Sequence, residues 1–200
     1  MDESNEIGMQ ARLQLIESMI QEGRKSTDYW GWTFLLWGIA YFIAIGWTYY
    51  LPHPEYGWPV VMTATLVAGA LIGRWKHRHH TQPQTAQSRA LAGIWCATAA
   101  AIFLFAFSGA ISGHSEPHIF LCGIEILIGV ANAASALTLR WRLQFLVALV
   151  WWACGVASCF VAADHLIPVL IVGTLIGNIG FGLYLMRRES TDRRLQVSHA

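Results

Sequence analysis

Long apolar stretches separated by short polar segments are the main pattern along the chain. A helix needs about 20 mostly apolar residues to cross a bilayer, and continuous apolar runs indicate helices rather than the alternating strands of a membrane barrel. The sequence therefore predicts an all-α fold, a six-helix transmembrane bundle. The six predicted spans are residues 30–51, 57–75, 90–111, 117–139, 143–163 and 166–186.

The segment before the first span has a different pattern. Its apolar residues recur every three or four positions, which places them on one face of a helix. They are Met9, Leu13, Ile16 and Ile20. We expect residues 1–29 to form a cytoplasmic amphipathic helix. It would either lie on the membrane surface or dock a protein partner, or a second copy of the chain, through residues 7–25.

Positive charge is confined to alternate segments of the chain. All 13 Lys and Arg residues lie in the N-terminal segment, in or beside the loops after the second and fourth spans, and in the tail 187–200. Cytoplasmic loops are enriched in these residues. We therefore expect both termini in the cytoplasm, the span domain 30–186 in the cytoplasmic (inner) membrane, and contacts with anionic membrane lipids. The short outer loops would join the spans into three hairpins.

Composition narrows the class of protein further. The chain is 55% hydrophobic and 12% charged, about half the charged fraction of a soluble domain. Its cysteines, Cys96, Cys122, Cys154 and Cys159, lie in apolar runs without CxxC spacing. They are predicted to act as small apolar side chains rather than as disulfides or zinc ligands. No catalytic or nucleotide-binding motif occurs, so we predict no enzyme, no cofactor and no nucleic-acid partner.

The odd-numbered spans share a weak repeat, in which a Trp precedes small residues at Trp37, Trp95 and Trp152. The last hairpin reads "LQFLVALVWWACGVASCFVAADHLIPVLIVGTLIGNIGFGLYL". In this layout the chain resembles the HdeD-like acid-resistance membrane proteins, which implies a six-span fold and a role in stress response. The stretch "LIESMIQEGRKSTDYWGWTFLLWGIAYFIA" departs from that family. It is similar to uncharacterised bacterial small membrane proteins with an N-terminal amphipathic helix and an LWG first span. Neither resemblance implies catalytic residues.

Two GxxxG pairs predict where helices approach closely. They are Gly69 with Gly73 in the second span, and Gly173 with Gly177 in the sixth, where Gly180 extends the same face. Small residues allow helix backbones to pack closely in lipid. We expect both pairs to serve packing within the bundle.

One acidic residue, Glu125, lies inside a predicted span. It shares a stripe of small and polar residues with Asn132, and this stripe should face the bundle interior because a charge facing lipid is costly. With no basic residue in any span core, Glu125 is expected to be neutral. Asn132, Asn178, Thr98, Ser158 or a backbone carbonyl would share its hydrogen bond. Glu125 is then either a structural tie between helices or a site for a proton, a cation or a polar substrate.

The three outer loops repeat a composition of Pro, carboxylate and His. Turn chemistry alone explains this pattern. Alternatively, the loops gather at one end of the bundle and sense pH or bind a metal ion. The candidate residues are His53, Glu55, His114, Glu116, His118, Asp164 and His165.

Two functions remain open at the level of the sequence. The first is a structural or stress-response membrane protein that acts through association with lipid or a protein partner. The second is a small proton- or ion-coupled transporter or channel that uses Glu125 and Asn132. A water-accessible cavity at Glu125 would favour transport, and a packed surrounding would favour the structural role.

Overall fold

The computed structural model of the chain describes residues 31–79, 86–112 and 116–198, with the backbone alone at 54, 55, 76–79, 110 and 192–198. The predicted amphipathic helix over residues 1–29 lies outside these ranges. Within them the chain is helical almost throughout and contains no strand. The helices are α1 (Gly31–Tyr50), α2 (Pro54–His79), α3 (Ala86–Ser112), α4 (Pro117–Leu139), α5 (Arg142–Ser158), α6 (Leu166–Thr174) and α7 (Phe181–Ser198).

A π-helical segment, Leu175–Gly180, joins α6 to α7, so that the two form one continuous sixth span. Together with α1 to α4 this makes five helical stretches long and apolar enough to cross a membrane among the described residues. The remaining helix, α5, has 17 residues, which is at the short end for a spanning helix. The predicted all-α bundle is confirmed, and five of its six predicted spans are helices long and apolar enough to cross a membrane.

The fifth span ends earlier than the sequence predicted. Residues 143–163 were expected to be helical, but α5 stops at Ser158. The backbone N–H of Phe160 donates to the Ala157 carbonyl in a tighter turn, and a short 3₁₀ helix, Ala163–His165, follows. This turn redirects the chain into the sixth span. We call this end of the bundle, where α4 also begins, the outer end, after the predicted orientation.

The closest pair of helices is α4 and α5, which are joined at the opposite, inner end. Arg140 adopts a left-handed conformation (φ 50°) at the end of α4, and the Trp141 N–H donates to the Ala136 carbonyl at 2.8 Å. This helix-ending motif reverses the chain within two residues. The predicted neighbours α1–α2 and α3–α4 do pack together. The most extensive contact, however, lies between spans 4 and 5 rather than within a predicted hairpin.

Glycines set how closely α4 and α5 approach. A Cβ built on Gly129 would collide with the indole of Trp152, and one on Gly155 would lie 2.9 Å from Ile126 Cγ1. The predicted pair Gly173 and Gly177 lies against the ring of Trp151 and is a packing face. The other predicted pair is not.

Gly69 has only an ordinary contact with Leu36, and Gly73 has open space around it. The reason is that α2 packs mainly on α1, through a small part of its surface. Only 17% of the apolar part of α2, and 6% of that of α3, is buried inside the protein, against 56% for α4. The core is therefore formed by α1, α4, α5 and the sixth span, with α2 and α3 at the periphery.

Candidate functional site

Glu125 lies in the middle of this core, at the α4–α5 contact. Its side chain is completely buried. The Ser158 hydroxyl donates a hydrogen bond of 2.6 Å to Glu125 Oε2. Of the partners that the sequence offered for Glu125, Ser158 is the one that the structure places in hydrogen-bond contact.

The local sequence explains this contact. Gly155 and Ser158 are three positions apart on α5, so they share the helix face that meets α4. With no side chain at Gly155, α5 approaches so closely that a Cβ built there would lie 3.4 Å from Glu125 Cβ. The approach brings the Ser158 hydroxyl within reach of the carboxyl group. A carboxyl without a cation in an apolar surrounding is favoured in its neutral form, so the pair can act as a neutral tie between helices.

The other predicted partners bond elsewhere. Asn132 is completely buried, and its Nδ2 donates to the carbonyl of Ile128 in its own helix at 3.0 Å. The Thr98 hydroxyl likewise donates to Ile94 in α3. Asn178 lies in the π-helical segment, 5% exposed, close to Gly38 of α1. These side chains therefore tie their own helices or pack at other contacts.

Six core residues of α4, α5 and α6 each carry a buried polar atom that has no hydrogen-bond partner within the part of the chain that the structure describes. The sequence pointed to two of them, Glu125 and Asn132, but not to the rest. We call these residues the polar seam: Glu125 (Oε1), Asn132 (Oδ1), Ser135 (Oγ), Gln144 (Oε1), Trp151 (Nε1) and Thr174 (Oγ1). They come from α4, α5 and α6. The signal in the sequence was the seven-residue spacing of Gln144, Trp151 and Ser158, which places them on one face of α5.

A cleft of about 610 Å³ opens at the outer end, between α3, α4 and the end of α5. Its lining residues are Phe105, Glu116, His118, Ile119, Cys122, Gly123 and Cys159. The sulfur atoms of Cys122 and Cys159 lie 2.8 Å apart in this cleft, and both cysteines are free thiols.

Of the four cysteines, the structure buries only Cys154. Cys96 and Cys159 lie on the exposed surface of the bundle, and Cys122 is half-buried. The contact of Cys122 with Cys159 was not predicted from the sequence. Cys122 lies 18 positions before Arg140 and Cys159 lies 18 positions after Trp141, and in an antiparallel helix pair such positions face each other.

The outer His and acid residues are only partly brought together. Glu116 and His118 line the same cleft, and His118 Nε2 is 3.1 Å from the Val161 carbonyl. Asp164 and His165 form an exposed pair at 2.9 Å.

His53 has a left-handed backbone (φ 58°), and its ring lies 6.0 Å from that of Tyr56. His114 and the side chain of Glu55 lie outside the described residues. In the described ranges no three His, Cys, Asp or Glu side chains are arranged to hold a metal ion. The metal or pH site stays a prediction.

Comparison with protein-family models, with curated proteins and with solved structures finds no match to this chain.

Proposed function

We propose that the chain is a non-catalytic integral protein of the cytoplasmic membrane that acts through association with lipid or a protein partner. The observation that carries this proposal is the setting of Glu125. Its carboxyl is completely buried and is bonded to Ser158 across the α4–α5 contact. A side chain in that position stabilises helix packing, as polar side chains do in membrane proteins.

The peripheral helices support association as the mode of action. The outward face of α3 presents large apolar side chains, with the rings of Phe103 and Phe107 stacked at 5.8 Å and Leu104 exposed. An apolar surface of this extent needs lipid or another apolar surface to cover it. The layout shared with HdeD-like acid-resistance proteins suggests that the association serves a response to stress. The one-sided distribution of Lys and Arg supports cytoplasmic termini.

A single variant tests the structural role of Glu125 against a role in transport. Glu125→Gln keeps the size of the side chain and a hydrogen-bonding group but removes the exchangeable carboxyl proton. We expect the variant to keep its stability in detergent. In proteoliposomes, the wild type and the variant should show the same background proton and cation flux. Flux through the wild type that Glu125→Gln abolishes would contradict the proposal.

The polar seam favours a second candidate, a proton- or ion-coupled transporter or channel. Glu125 lies about two turns from the outer start of α4, whereas Gln144 lies in the first turn of α5 at the inner end. Buried polar atoms without protein partners are costly in a membrane unless water or a ligand satisfies them. The partnerless atoms extend from Glu125 near the outer end to Gln144 at the inner end, and a proton path would need polar groups at these depths.

The second candidate has its own test. Asn132→Leu and Thr174→Val remove partnerless atoms of the polar seam without touching the Glu125–Ser158 bond. Transport along the polar seam requires both variants to lose flux while they remain folded. In a structural core, both variants would be silent in flux. Thr174→Val should also be no less stable than the wild type, because it replaces an unsatisfied hydroxyl by an apolar group of the same shape.

A further inference from the structure

Two cysteines from different helices meet at the outer end of the bundle. Cys122 lies in the second turn of α4, and Cys159 follows directly after α5. Their sulfur atoms are 2.8 Å apart and both are free thiols. The other cysteines differ in setting, since Cys154 is buried inside α5 and Cys96 lies on the exposed face of α3.

Reagents can reach this pair from the cleft. Both sulfur-bearing residues line the cleft of about 610 Å³. Cys159 is exposed and Cys122 is half-buried. Cys159 is therefore more accessible to an incoming molecule than Cys122, whose sulfur is in contact with that of Cys159.

The fold holds the two thiols in register. The tight turn at Arg140 fixes the alignment of α4 and α5, and the approach at Gly129 and Gly155 leaves little room for the helices to slide. At the outer end, His118 on α4 contacts the carbonyl of Val161 beyond α5 at 3.1 Å. Because helix packing already fixes the backbone around both cysteines, forming a bond between their sulfurs costs little additional conformational entropy.

We propose that Cys122 and Cys159 form a redox-active dithiol pair that exchanges with disulfide compounds. The deprotonated thiol of Cys159 attacks one sulfur of a disulfide, forms a mixed disulfide and releases a first thiolate. The deprotonated thiol of Cys122 then attacks the Cys159 sulfur, forms the Cys122–Cys159 bond and releases a second thiolate. The two released thiolates take up the two protons. The pair is oxidised by two electrons and the disulfide compound is reduced to two thiols.

The bond would connect α4 and α5 beside the Glu125–Ser158 hydrogen bond. Cys159 is the neighbour of Ser158 in sequence, and Cys122 lies one turn from Glu125. Oxidation therefore cross-links α4 and α5 next to this hydrogen bond, and reduction removes the cross-link. This site goes beyond the proposed association function, and its chemistry can be measured in the purified protein whatever that function is.

Counting free thiols tests the proposal. The purified full chain in detergent is incubated with glutathione disulfide at mildly alkaline pH, denatured, and labelled with a maleimide that adds a visible mass step for each free thiol. The reduced protein should take four labels, and the oxidised protein two. Reduction with dithiothreitol should restore all four. Four labels after oxidation, or a disulfide-linked dimer on a non-reducing gel, would overturn the proposal.

Single variants identify the sulfurs and their order of reaction. Cys122→Ser should trap glutathione on Cys159 as a stable mixed disulfide, because no second thiol is in contact to displace it. Cys159→Ser should take up glutathione several-fold more slowly, since Cys122 is less exposed. Cys96→Ser with Cys154→Ser is the matched control and should go from two labels to none. If this control keeps both labels after oxidation, the pair is not redox-active.

Labelling in intact cells tests the proposed membrane orientation independently of the redox proposal. With the outer end facing away from the cytoplasm, an impermeant thiol reagent should label Cys159 after reduction. If the purified protein forms the bond but this labelling fails, the orientation is wrong and the redox pair stands. If the thiols label in cells but do not pair in the purified protein, the redox proposal is wrong and the orientation stands.

Discussion

At the scale of single residues, the Glu125–Ser158 contact shows how a carboxyl can be accommodated in the core of a membrane bundle. The span cores contain no basic residue that could pair with the carboxyl. Its partner is the Ser158 hydroxyl, which donates a hydrogen bond of 2.6 Å, and the Glu125 side chain is completely buried in the protein. A hydrogen bond inside a membrane protein contributes roughly 0.6 kcal/mol on average. The contact therefore specifies which faces of α4 and α5 meet more than it determines the total stability.

Substitutions at Glu125 should separate the effect of filling the space of the side chain from the effect of its hydrogen bond with Ser158. We expect Glu125→Gln to change the free energy of unfolding in detergent by about 1 kcal/mol or less, because the amide can still accept from Ser158. Glu125→Leu should cost more, since a branched apolar side chain leaves the buried Ser158 hydroxyl without its partner. Unfolding in a denaturing detergent, followed by helix content, measures both. Equal losses for Gln and Leu would contradict a role for the hydrogen bond.

At the scale of helices, the α4–α5 pair depends on close approach at glycines. The backbone reversal at Arg140 begins the pair, and Gly129 and Gly155 allow the helices to remain in contact along their length. By contrast, Gly69 and Gly73 in α2 and Gly93 in α3 meet little or nothing. A glycine in this bundle is therefore informative only where a neighbouring ring or backbone occupies the space of its missing side chain.

Alanine substitutions should show this difference directly. Gly129→Ala places a Cβ against the Trp152 indole, and overpacking of this kind typically costs about 1–3 kcal/mol. Gly93→Ala, in α3, has nothing within 4 Å of the new Cβ. It should be neutral or slightly stabilising, because Ala favours helix more than Gly does. Thermal unfolding of both variants in the same detergent gives the comparison. A neutral Gly129→Ala would show that α4 and α5 can separate without cost.

At the scale of the whole molecule, the bundle has a packed side and an open side. The sixth span, α1, α4 and α5 enclose the buried residues, whereas α2 and α3 present mostly exposed apolar surface. Lipid covers such a surface in a monomer, and a second protein can cover it in an assembly. The orientation of the bundle across the membrane decides which compartment the cleft with Cys122 and Cys159 faces.

Accessibility labelling should establish that orientation. In a Cys-free background, single cysteines replacing Glu55 and Glu116 should react in intact cells with an impermeant thiol reagent. A cysteine replacing Gln84, in the basic loop after the second span, should react only after the membrane is opened, because Lys- and Arg-rich loops stay in the cytoplasm. Reaction of the Gln84 position in intact cells would reverse the orientation, and with it the compartment assigned to the cleft.

The outer histidines allow a separate test of pH sensing. Replacing His53, His114, His118 and His165 together with Gln removes the imidazoles that acid sensing by those loops would require. If the loops sense acid, any change of the wild type between neutral and mildly acidic pH, measured by tryptophan fluorescence or by an acid-survival assay, should disappear in this variant. A response that persists would leave only the role of these residues in turns.

The sequence by itself determined the class of protein and its six helices. An apolar run of about 20 residues has few alternatives to a helix in a bilayer, because every backbone polar group must be hydrogen-bonded within the segment. Similar reasoning predicted that Glu125 points into the bundle, because a polar side chain on the lipid-facing side of a helix is costly. Ser158 could be offered as a partner, but only as one of several.

Only the tertiary structure decided which helices pack together. Hydropathy does not distinguish a helix face that meets lipid from one that meets another helix, because both are apolar. For that reason the sequence could not rank the α4–α5 contact above the predicted hairpins, nor tell the packed pair Gly173 and Gly177 from the open pair Gly69 and Gly73. The meeting of Cys122 with Cys159 was hidden for the same reason. It depends on the register that one tight turn and two glycine contacts impose on a pair of helices.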